Sequence, residues 1–176
     1  YMLHAIIADY ARSQGPDPQA NARLARYGLD VIESQRANIA TLERESTIIL
    51  AALEKTYELG WQAELIKGSC FIAAFLLQFG WYSLAEHVLQ RAFVAATELD
   101  DQPSQVHILE YLSSLIHLQG NYDQAHTHAK QGLTLAYQLD DKPHISRLLT
   151  ILGVVAYERG DYAQARGYYQ EGLTLA

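Results

Sequence analysis

A period of forty residues governs this chain. Gly80, Gly120 and Gly160 stand forty apart, as do Tyr82, Tyr122 and Tyr162, and again Ala85, Ala125 and Ala165. Segments 120–136 (GNYDQAHTHAKQGLTLA) and 160–176 (GDYAQARGYYQEGLTLA) share nine of seventeen positions, and LDDQP at 99–103 returns as LDDKP at 139–143. Phase-locked copies mean one supersecondary unit stacked on itself, because a single unit of this size cannot bury its own apolar face.

Apolar spacing within the unit identifies two helices. In the last copy the first helix is expected over 143–159, with Ile145, Leu148, Leu149, Leu152 and Val155 on one stripe facing a core. Gly160 is placed to end it in a left-handed conformation, and Asp161 to cap a second helix over 162–176. That second helix carries Ala165, Tyr169 and Gly172 on the side meeting the first. Between units, Asp140-Asp141 supplies negative charge at a helix N-terminus. Pro143 falls in the first turn, where its missing N–H is harmless.

On these residues the chain resembles the tetratricopeptide repeat, whose pattern sets small residues in both helices around a Gly-[Asp/Asn]-Tyr turn. With Ile66, Val106 and Ser146 as first positions, the eighth are Ala73, Ser113 and Gly153. The twentieth are Ala85, Ala125 and Ala165, and the twenty-seventh are Ala92, Gly132 and Gly172. Ile72, Leu112 and Leu152 fill the apolar seventh position; the large fourth position is Leu109 and Leu149 but Ser69 in the first copy. The forty-residue interval exceeds the usual thirty-four, so the second helix and the loop after it are expected to be longer. This is similar to the long variant in maltose-activator-type bacterial regulators.

The resemblance covers about residues 61–176. Shifted back one period it places Leu29, Ile32, Ile49, Ala52 and Leu59 in the core, but Glu33 and Glu45 stand where small residues belong and no glycine marks a turn near Ala40. Residues 1–60 are therefore read as N-terminal helices ending in a degenerate pair or one long helix. Residues 1–14 form an apolar helical segment, broken by Gly15-Pro16-Asp17-Pro18. The chain stops at Leu175-Ala176 inside a second helix with no polar closing helix, which reads as a fragment of a larger protein. The fold class implied is all-α: a right-handed α-α solenoid of stacked antiparallel pairs.

The resemblance also makes the second, fifth, ninth, twelfth and thirteenth positions of each first helix concave. These are Lys67, Cys70, Ala74, Leu77 and Gln78; His107, Glu110, Ser114, His117 and Leu118; and Arg147, Thr150, Val154, Tyr157 and Glu158. Polar groups beside apolar patches suit a protein or peptide segment needing both hydrogen bonds and burial.

Other chemistries find little support. A net charge of −7 and pI near 5.4 disfavour direct nucleic-acid contact. No long apolar run and no leader is visible, so no membrane contact and a cytoplasmic setting are expected. The single cysteine, Cys70, forbids an internal disulfide and a multi-thiolate site. His126 and His128, two apart on a helix, diverge; His107 and His117 lie about 15 Å apart by helix rise. A nucleophilic Cys70 beside His107 or Glu110 is outweighed by Cys70 as a small half-buried helix residue. No phosphate-binding glycine loop occurs, and the tyrosines read as turn and core packing. Neither catalysis nor a cofactor or metal is expected.

The resemblance thus implies an interaction module, the sensor region of a larger bacterial signal-responsive transcriptional regulator. Alternatives are a receptor enclosing a small-molecule inducer between Lys67, His107, Glu110 and Arg147, and a structural element that self-associates.

Overall fold

The computed structural model describes residues 18–34 and 39–175. Among the described residues eight helices follow one another: α1 (Pro18–Ser34), α2 (Ile39–Glu58), α3 (Gln62–Gln78), α4 (Tyr82–Glu98), α5 (Gln102–Leu118), α6 (Tyr122–Gln138), α7 (Lys142–Glu158) and α8 (Tyr162–Leu175). No strand occurs among the described residues. The expected helix over 1–14 lies outside them, as does the loop at 15–18 apart from Pro18, which opens α1.

Turn chemistry sets the architecture. Residues 60, 80, 100, 120, 140 and 160 all adopt positive φ, four as glycine (70° to 81°) and two as Asp100 and Asp140 (52° and 53°). At each, the following N–H reaches back to the fifth preceding carbonyl, from Trp61 to Thr56 through Asp161 to Ala156, at 2.9–3.1 Å. This satisfies carbonyls that a helix end leaves unpaired. Asp101, Asn121, Asp141 and Asp161 then accept the backbone N–H three residues on, capping α5 to α8. The period of forty is two equal halves of twenty. The expected longer loop is absent, since the connection after a second helix is as short as the turn within a pair.

Sequential helices pack as antiparallel neighbours, giving an all-α solenoid. All nine residues at the small positions of the three clear copies are buried, as are Ile72, Leu112 and Leu152. Close crossing explains the small size. A β-carbon on Gly132 would lie 3.1 Å from Leu109 Cβ. Each fully buried Leu or Ile then contributes about 1.5–3 kcal/mol. Lateral polar bonds join successive pairs: Glu33 with Lys67, Glu54 with Arg91, Glu86 with Gln119, Glu110 with Arg147, and Asp123 with Arg159.

Residues 19–60 hold two helices, and they pack together. Their close crossing uses Gly28 against Ala52, where an added β-carbon would sit 2.1 Å from that of Ala52. Glu33, at a nominally small position, instead turns outward to Lys67 at 2.9 Å. Glu45 is buried, with Oε1 accepting from Arg44 Nε at 3.0 Å.

Candidate functional site on the first-helix face

First helices of successive pairs touch: α1 meets α3, α3 meets α5, and α5 meets α7. Among the described residues no two second helices approach so closely. The first-helix side is therefore the inner side of the curve, and it carries a cavity of about 530 Å³ between α3 and α5. From α3 come Ala63, Ile66, Lys67, Cys70, Phe71 and Ala74; from the start of α5 come the capping Asp101 and then Ser104, His107 and Tyr111. One wall is largely apolar and the other carries hydrogen-bonding groups.

One period on, the corresponding seam between α5 and α7 is filled. His144 Nδ1 lies 2.8 Å from Asp141 Oδ2, and its Nε2 lies 3.7 Å from Glu110 Oε2. That second distance is too long for a hydrogen bond, so the contact is an ion pair only when the imidazole is protonated. Arg147 donates to the same Glu110 oxygen at 3.4 Å. His107 meets the His144 ring edge-on at 5.3 Å and Tyr111 at 5.0 Å.

Burial shapes the electrostatics. It pushes Glu110 above the usual carboxylate range despite Arg147 and His144. It also lowers His107, and the neighbouring His144 and Arg147 charges lower it further. Tyr111 is raised by burial and then by Glu110. For Asp141, burial opposes ionisation but is outweighed by the ring and backbone hydrogen bonds of His144, so its carboxyl stays low. The Cys70 thiol is pushed up to about 12 by burial and then by the Asp101 charge, leaving almost no thiolate for nucleophilic chemistry at neutral pH.

Of the residues expected on the concave face, Lys67, Cys70 and His107 meet around the cavity, and Glu110 and Arg147 join the filled seam. Gln78, His117, Tyr157 and Glu158 stand in the last turns of α3, α5 and α7, roughly 15 Å along the helices from the second positions. Ser114 lies between these two levels, and the Thr150 hydroxyl is returned to the Ser146 carbonyl at 2.9 Å. Sequence reasoning missed Asp101, Ser104, Tyr111, Asp141 and His144. The visible signal was the pair of capping aspartates, each followed three residues later by a polar side chain. Among the described residues no group of three His, Cys, Asp or Glu side chains is disposed to hold a metal ion. None of their helices is long and apolar enough to cross a membrane.

The class defined by this fold and face is an α-helical repeat array with a grooved inner surface. Compared with known proteins, the chain matches no protein-family model and no curated sequence.

Proposed function

We propose that this chain is a tetratricopeptide-type scaffold that binds a protein or peptide segment along its first-helix face. The observation that carries the reading is the cavity between α3 and α5, walled by both apolar and hydrogen-bonding side chains. The forty-residue period and its resemblance to maltose-activator-type regulators support a sensor role within a longer cytoplasmic bacterial transcription regulator. No bond-making step belongs to this reading.

The test is capture from a lysate of the source organism, using the wild-type chain beside Ala74→Trp. Ala74 is exposed and lines the cavity, so the larger ring fills the groove without entering the core. A specific protein retained by the wild type and lost by the folded variant supports the groove. Identical capture by both sinks it.

The cavity volume also lies within the range of small-molecule sites, which favours an inducer as the second reading. A metabolite co-purifying with the wild type and absent from Ala74→Trp would distinguish it.

A further inference from the structure

Two seams of one repeating design share their capping carboxylate, Asp101 or Asp141, and differ at the positions around it, two of which exchange a small side chain for a large one. Shifted by forty, Cys70 stands where Glu110 stands, and Ser104 where His144 stands. Both α3–α5 residues are small, and a cavity of about 530 Å³ lies there; both α5–α7 residues are large, and they occupy the equivalent place. The capping carboxylate is the same in each. Asp141 Oδ1 accepts the His144 N–H at 3.2 Å, and Asp101 Oδ1 accepts the Ser104 N–H at 3.2 Å. Asp141 Oδ2 additionally holds the His144 ring at 2.8 Å, and Ser104 has no ring to offer Asp101.

Charge and shape in the open seam point the same way. Lys67 is balanced by Glu33 at 2.9 Å, whereas Asp101 forms no ion pair among the described residues and its charge reaches the neighbouring thiol. Tyr111 lines the cavity on the α5 side, and a flat cation gains by resting on such a face. A planar group also satisfies a carboxylate with directed N–H bonds, as a compact ammonium does not.

We infer that the cavity between α3 and α5 takes the planar N–H group of an arginine or histidine side chain on the bound peptide, set on Asp101 as His144 is set on Asp141. The array supplies this group to itself in one seam and leaves it to a partner in the other. The assignment rests on the reading of the groove as a peptide site.

The test is an NMR titration of the ¹⁵N-labelled chain with capped Leu-Ser-X-Ser-Leu peptides in which X is Arg, His, Lys, Leu or Glu. The Arg and His peptides should shift α3 and α5 amides and bind at least about tenfold tighter than the Leu and Glu peptides, a difference of roughly 1.4 kcal/mol. Asp101→Asn keeps a capping oxygen, as Asn121 does in α6, and should weaken the Arg and His peptides about tenfold while leaving the Leu peptide unchanged. Ser104→His installs the occupant of the neighbouring seam and should abolish binding with the circular dichroism spectrum retained. If Leu or Glu peptides bind as well as Arg and His, and Ser104→His blocks them, the groove stands and the planar-cation assignment is overturned. If Ser104→His changes the binding of no peptide, or no peptide shifts α3 or α5, the groove reading falls with it.

Discussion

The Tyr169 ring lies against the backbone of Gly153, so close that a β-carbon at 153 would sit 2.4 Å from Cε1 and 2.8 Å from Cδ1 and Cζ. This contact joins the eighth position of a first helix to the second helix of the same pair, and it explains glycine here where earlier copies carry Ala73 and Ser113. Ring and glycine form one unit of packing.

Gly153→Ala should therefore destabilise the chain by about 2 kcal/mol through overpacking, in spite of alanine's better helix propensity. Combining it with Tyr169→Ala should cost clearly less than the sum of the two single changes, because the clash disappears with the ring. Urea unfolding of all three variants measures the coupling, and simple additivity would mean that the two residues do not share a contact.

Ser69 is fully buried, and its hydroxyl has no hydrogen-bond partner among the described residues. It stands where later copies place Leu109 and Leu149. An orphaned buried hydroxyl costs about 1–3 kcal/mol. Ser69→Ala removes that polar atom at little loss of volume and should raise stability by about 1 kcal/mol. A lower unfolding midpoint in urea would show that the hydroxyl is satisfied in solution.

The left-handed turn residues provide a matched pair. Asp140 holds φ 53° with a β-carbon, and Gly160 holds φ 80° without one. Asp140→Gly should stabilise by several tenths of a kcal/mol, whereas Gly160→Ala should cost about 1 kcal/mol, since only a side chain makes this region strained. Nothing lies within 4 Å of the β-carbon that would be added at Gly160, so packing does not confound the comparison. Thermal melts of both variants read it directly, and two shifts of the same sign would contradict the backbone explanation.

Stability should also depend on pH through the histidines. Burial is the leading cause that lowers His107, His126 and His128, each below the ordinary 6.5. The native state therefore binds fewer protons than the unfolded chain once the pH falls below about 6.5, and acidification draws the equilibrium toward unfolding. Glu110 works in the opposite sense: its raised carboxyl takes up a proton earlier in the native state, so stability rises as pH falls toward 4.5. Between pH 7.5 and 6 the histidines should dominate and the melting temperature should fall. His107→Gln combined with His128→Gln should flatten that slope, and an unchanged slope would show that the titrating groups lie elsewhere.

Much of the design was legible without coordinates because it is local or periodic. The forty-residue interval, the glycine turns, the capping aspartates and the small crossing positions all follow from short-range geometry that repeats in register. The N-terminal pair was harder to read. Its close approach moves to Gly28 and Ala52, and Glu33, at a position where the pattern wants a small core residue, leaves the core for Lys67. The second-position residues Lys67, His107 and Arg147 were visible as a set, since they occupy one site of a repeating helix.

What the amino-acid order determined by itself is thus the unit: two helices of near-equal length, where they end, and which stripe each buries. What only the tertiary structure decided is how one unit meets the next. That contact brings the N-terminal cap of one first helix, Asp101 with Ser104, against the mid-helix face of its predecessor at Cys70 and Phe71. It sets the same elements one period later as Asp141, His144 and Glu110 in a closed network. Residues three to forty positions apart meet there because the first helices of successive pairs pack side by side. The volume left over depends on side chains drawn from both helices, so no single helix's pattern discloses whether a seam is filled or open.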